Sequence, residues 1–142
     1  MYKKILTTAL CGFLFFQTFG QDGKLLRYPA IDKAGKQVAF AYQGDVWVQP
    51  LNATAPAKRL TLHEAYEHHP VWSADGKSLA FASDRYGRDD IFTVPVSGGA
   101  PKRLTFHSSS DIPYHWNEED NLLFTSRRLF AQVEREREFH TL

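Results

Sequence analysis

A chain of 142 residues is of the size of one domain and is long enough to bury a real core. An aromatic content of 14% favours pleated, half-buried surfaces over helix bundles, so mainly β structure is expected. Formal charge is +1, and without Lys3 and Lys4 there remain 15 basic and 16 acidic residues, a balance with no electrostatic footprint for nucleic acid and no polybasic patch for a membrane surface.

The first element in chain order is a targeting segment over residues 1–20. Lys3-Lys4 forms a positive start, Ile5 to Phe16 is an uncharged, mostly apolar run, and Thr18-Phe19-Gly20 sets small residues where a signal peptidase reads. Cleavage is expected before Gln21. Gly12, Gln17 and Gly20 interrupt the run before it reaches the roughly 18 apolar residues a membrane span needs, so no stable membrane anchor remains after removal. Cys11, the only cysteine, lies in the leader, and no disulfide or cysteine nucleophile is expected beyond it.

Residues 21–142 then read as copies of one unit. The second copy, over residues 69–105, is the clearest: Val71-Trp72, a turn at Asp75-Gly76, the apolar run Leu79 to Ala82, a polar loop Ser83 to Gly87, a β-branched and aromatic run Ile91 to Val96, a turn at Gly98-Gly99, and Lys102-Arg103-Leu104-Thr105. Four short strands and three turns in under 40 residues make one antiparallel sheet. The first copy, residues 27–61, precedes it by 41 residues at Pro29, Gly35-Lys36 and Val38 to Ala41, then by 45 at Asp45-Val46-Trp47, and its Lys58-Arg59-Leu60-Thr61 recurs 44 residues on. Gln43-Gly44 joins its two middle strands, a tight hairpin turn that requires positive φ. The third copy, residues 111–142, aligns Pro113 with Pro70, Leu122, Phe124 and Ser126 with Leu79, Phe81 and Ser83, and Arg128 with Arg85. Its turn is Glu119-Asp120-Asn121, and Glu138 to Leu142 lies on Asp90 to Val94, so on this alignment the chain stops inside a strand. The fold class expected is all-β, with β-propeller blades of four antiparallel strands: two blades plus part of a third, an incomplete ring. Its open strand edges predict that the isolated segment from Gln21 to Leu142 aggregates or unfolds without cooperativity.

The pattern Pro-x-Trp-Ser-x-Asp-Gly-Lys-x-Leu-Ala-Phe-x-Ser-Asp-Arg-x-Gly, followed by Asp-Ile-Phe, Gly-Gly and Arg-Leu-Thr, as read from Pro70 to Thr105, resembles the propeller repeat shared by TolB and the Tricorn-type proteases. Ala74 departs from the usual Pro. In the first copy Asp32 lies farther from Gly35 and Ile31 holds the Trp position, so a less regular first turn is expected there. TolB-like proteins carry an α/β domain before the propeller, for which Gln21 to Leu26 leaves no room; exported Tricorn-like serine peptidases begin with the propeller. The resemblance therefore implies a periplasmic or secreted Tricorn-like serine peptidase whose propeller gates or scaffolds peptide or protein substrate. Its partners are then the remaining blades and the downstream protease domains of the same polypeptide. A TolB-like cell-envelope binding scaffold without enzymatic activity is the alternative.

The chain itself supplies no catalytic, cofactor-binding or metal-ligating set. His63, His68 and His69, with Glu64 and Glu67, have spacings of five and six rather than the i, i+4 of a helical zinc motif, and read as polar inter-blade loop. Asp84, Arg85, Asp89 and Asp90 read as loop residues that hold backbone donors and form a local ion pair. Ser108-Ser109-Ser110-Asp111 lacks a nucleophile elbow, and the Glu134 to Glu138 alternation reads as a solvated charged edge.

Overall fold

A strand that buries both faces needs apolar residues at consecutive positions, and Leu79 to Ala82 supplies them. The computed structural model describes residues 25–52, 54–128 and 138–141. The expected leader and most of the Glu134 to Glu138 alternation lie outside the described residues. Among the described residues, eleven strands form three antiparallel sheets. The first contains β1 (Arg27–Ile31), β2 (Gln37–Tyr42), β3 (Asp45–Pro50) and β4 (Lys58–Arg59). The second contains β5 (Glu67–Trp72), β6 (Ser78–Ser83), β7 (Asp90–Pro95) and β8 (Lys102–Arg103). The third contains β9 (Asp111–Trp116), β10 (Leu122–Ser126) and β11 (Glu138–Thr141). Each sheet is a simple meander, as a propeller blade is.

The Leu-Ala-Phe-Ala run fixes which way the blades stack. On β6, Leu79 and Phe81 face the first blade, where they join Ala39, Val46, Val48 and Leu60 together with Trp72, Phe92 and Val94. Ala80, on the opposite face, joins Ile91 with Leu122 and Phe124 of the third blade. Each blade thus offers alanines to the next one, whose Phe fills the space, and large meets small across both interfaces.

The repeated Lys-Arg-Leu-Thr has a task for every residue. Arg59 pairs with the buried Asp45, and its Nε donates to Thr61 O at 3.0 Å. Arg103 repeats this with Asp90 at 2.7 Å and Thr105 O at 2.8 Å. The Thr61 and Thr105 hydroxyls accept the Val46 and Ile91 amides, both at 2.9 Å. Leu60 enters the core, and Lys58 Nζ reaches across to Ser97 O of the second blade at 2.7 Å. Because the Ile91 N–H is buried, Thr105→Val strands it and is expected to cost about 1–3 kcal/mol. Urea unfolding of the natural full-length protein reads the loss, and faster hydrogen exchange at Ile91 localises it.

Three expectations are corrected by strand pairing. The first turn of the first blade is as regular as its mate: Asp32 N bonds Gln37 O at 3.0 Å and Gly35 N bonds Asp32 O at 3.0 Å, as Ser73 N bonds Ser78 O and Gly76 N bonds Ser73 O at 2.9 Å each. Asp32 corresponds to Ser73 rather than to Asp75, and its Oδ1 accepts the Lys36 and Gln37 amides. Next, Leu122 faces Trp116 as Leu79 faces Trp72, so Trp116, not Pro113 with Pro70, marks the third copy's first strand, at an offset of 44. The Asn117–Asn121 turn is one residue shorter, which restores 43 from Leu122 onward. Asp120 takes the left-handed place of Gly76, with φ 65° against 69°. Finally, the acids of the Asp84 to Asp90 loop do not pair with Arg85. Arg85 binds Glu67, while Asp89 binds His68 and Asp90 binds Arg103, because the loop's ends lie beside other strands. The alignment of Glu138 with Asp90 does appear in the pairing: Glu138 faces Ser126 as Asp90 faces Ser83. At Gln43-Gly44 both φ values are positive, 51° and 87°, as the tight hairpin requires.

Candidate functional site

In an antiparallel meander only the first and last strands have a free edge. Here β5 packs on both β1 and β9, whereas β4 and β8 lie against β3 and β7 of their own sheets. The first strands are therefore the inner edges of the blades, and they enclose a cleft of about 610 Å³. Its wall carries Tyr28, His69, Trp72, Tyr114 and Trp116, and its charged residues are Lys33 and Glu118.

Bulges shape this wall. The β1–β2 register slips between Arg27 and Ala30, and the β5–β6 register slips between His68 and Val71. Within these bulges Tyr28 and His69 adopt φ of 53° and 50°, backbone that non-glycine residues rarely hold. A bulge turns the local side chain away from its normal face. The Tyr28 and His69 ring centroids lie 3.9 Å apart with the planes tilted by 32°, and Trp72 Nε1 donates to Ala30 O at 2.8 Å, so the first two blades are joined along the wall. Lys33 of the first blade forms an exposed ion pair with Glu118 of the third. That carboxylate is held below its ordinary range by the lysine.

Beside this ring pair His68 has its Nδ1 2.6 Å from Nδ1 of His69 and its Nε2 3.0 Å from Asp89 Oδ1. The His68 contact, opposed by burial, holds the Asp89 carboxyl below its usual value, with the Ser110 hydroxyl adding to the effect. A carboxyl lowered in the folded state stabilises above its unfolded pKa of about 3.9. That contribution is lost as pH falls through the lower folded value. Asp89→Asn should therefore flatten the acid limb of the stability curve below about pH 4, read by urea midpoints across pH.

The remaining sequence candidates have structural employment. Glu67 is fully buried against Arg85, and Asp111 accepts from Arg128 at 2.6 Å and from the Ser126 hydroxyl at 2.5 Å. His63 and His107 occupy equivalent loop positions and accept the Ala65 and Ser109 amides. The Ser109 hydroxyl donates to Arg127 O. Burial holds the Asp90 carboxyl above the usual range against the pull of Arg103. Its Oδ1 lacks the partner that Asp45 Oδ1 finds in the His63 amide at 3.2 Å. Among the described residues no group of three or more His, Cys, Asp or Glu is placed to hold a metal ion. Sequence reasoning did not single out Tyr28, Lys33, Tyr114 or Glu118. The signal available was a proline beside an aromatic residue in every copy: Tyr28-Pro29, His69-Pro70 and Pro113-Tyr114.

Residues 23–141 match the Tricorn protease N-terminal beta propeller domain. Tricorn protease homolog 1 of Streptomyces coelicolor is 38% identical over 84 residues, 59% of this chain and 8% of that protein. Among solved structures, a TolB from Agrobacterium tumefaciens superposes with a TM-score of 0.64 at 25% identity, over 72% of this chain and 38% of that one. The Tricorn protease crystal structure gives 0.61 at 18% identity, over 86% of this chain and 13% of that one, a likeness of fold. The chain spans less than a tenth of the length of the Tricorn homologues it matches.

Proposed function

The chain belongs to the Tricorn protease N-terminal β-propeller family, and from that premise we infer that it forms the propeller segment of an exported, periplasmic Tricorn-like serine peptidase. In this reading the inner-edge cleft admits peptide or protein substrate and positions it. Hydrolysis falls to a serine outside these residues, activated by a neighbouring base and proceeding through an acyl-enzyme. The observation that carries the reading is the family match over residues 23–141, joined to a wall that presents aromatic side chains from three blades to one cleft.

A serine-hydrolase probe applied to the natural full-length protein tests it. Labelling of a serine outside these 142 residues is the expected result. Failure to label a folded preparation that still binds a protein partner would favour the second reading, a TolB-like cell-envelope scaffold, which the structural likeness to TolB supports.

A further inference from the structure

We propose that the inner-wall cleft selects uncharged, proline-rich peptide segments in the polyproline II conformation. This rests on the peptidase reading and names the substrate class of its channel. Strand addition is the usual way an extended peptide joins a sheet edge, through a run of backbone hydrogen bonds. Here that route is interrupted. Each inner strand carries a proline, Pro29, Pro70 or Pro113, in or beside its register slip, so each edge lacks an N–H within its length and is bent there.

What the wall does offer is aromatic side chains. Tyr114 is 67% exposed, and with Tyr28 and Trp116 it gives three aromatic side chains, from the first and third blades, around one cleft. Aromatic-lined grooves hold polyproline II segments, which arrive already extended and so lose little conformational freedom on binding. Proline also brings no N–H that would need an acceptor from this wall. Trp116 adds a further feature: its Nε1 is buried without an acceptor, whereas Trp72 Nε1 has Ala30 O. A carbonyl of a bound segment is an acceptor of the kind that this N–H lacks.

Charge decides against other peptides. Lys33 and Glu118, the charged residues of the wall, neutralise each other, so an acidic or basic segment would enter without a counter-charge. The volume of about 610 Å³ lies within the range of ligand clefts.

Binding of three fluorescent decapeptides to the natural full-length protein tests the proposal: one neutral and proline-rich, one with alanine for every proline, and one with alternating Lys and Asp. The proline-rich peptide should bind at least tenfold tighter than either of the others. Tyr114→Ala, compared with the parent at a temperature where urea titration finds both folded, should weaken it about five- to tenfold, the scale of one lost ring contact. Equal affinity for the proline and alanine peptides, tighter binding of the charged one, or no effect of Tyr114→Ala would overturn it. Serine-hydrolase labelling of the same preparation separates the two readings. Labelling without proline preference removes only this proposal, and preference without labelling removes only the peptidase.

Discussion

Arg85→Ala is expected to lower the unfolding free energy by about 3–5 kcal/mol, the cost of leaving a buried carboxylate without its cation. Glu67 is fully buried, and Arg85 holds it through Nη2 and through Nε at 3.0 Å, with the Ser83 hydroxyl 3.2 Å from the same Nε. Glu67 Oε2 has no partner even in the intact protein, so no second group stands ready to replace the arginine. The guanidinium also lies 5.0 Å over the Phe92 ring, which adds lost packing to lost charge. The double variant Glu67→Gln/Arg85→Met should recover most of the loss, since removing both charges together avoids the unpaired one. Lys33→Ala supplies the contrast: both partners of its ion pair are exposed, and little change in the urea midpoint is expected. Urea unfolding of the natural protein measures all three. An Arg85→Ala loss as small as that of Lys33→Ala would mean that the arginine is not what neutralises Glu67.

The same pair shows how far sequence carried the structure. The repeat located the strands because each is built from local signals: an apolar run, a left-handed turn residue, and a terminal Arg-Leu-Thr whose hydrogen bonds stay within one sheet. Even β11 follows from one acid and one threonine at the right spacing. Arg85 was legible as an ion-pairing residue, but its partner was not, since Glu67 stands two strand ends away and nothing in the loop's own sequence points to it. The first blade has no such clasp, as Leu26 and Tyr42 stand where Glu67 and Ser83 stand in the second, and its Gln43-Gly44 turn leaves no loop for an arginine. The inner wall was hidden for another reason. Strand periodicity tells which residues share a face, but it does not tell which edge of a sheet turns toward the axis, and that edge decides the cleft.

Phe81→Ala tests the stacking rule and should cost about 3–5 kcal/mol. Its ring is fully buried in the interface with the first blade, 5.8 Å from Phe92 and among Ala39, Val46 and Val48, where alanine leaves a cavity that the strands of two sheets cannot close. The reverse change, Ala80→Leu, adds bulk where Phe124 already fills the space, and overpacking of that kind costs about 1–3 kcal/mol. Phe40 holds the repeat position of Phe81 in the first blade, but it points away from the second, on the face opposite Ala39 and Ala41. If blades follow one another around a closed ring, that face receives the alanines of another blade, and Phe40→Ala in the natural protein should cost as much as Phe81→Ala to within about 1 kcal/mol. A much smaller loss for Phe40→Ala, a side chain only 5% exposed here, would mean that its face is not packed as the Phe81 interface is.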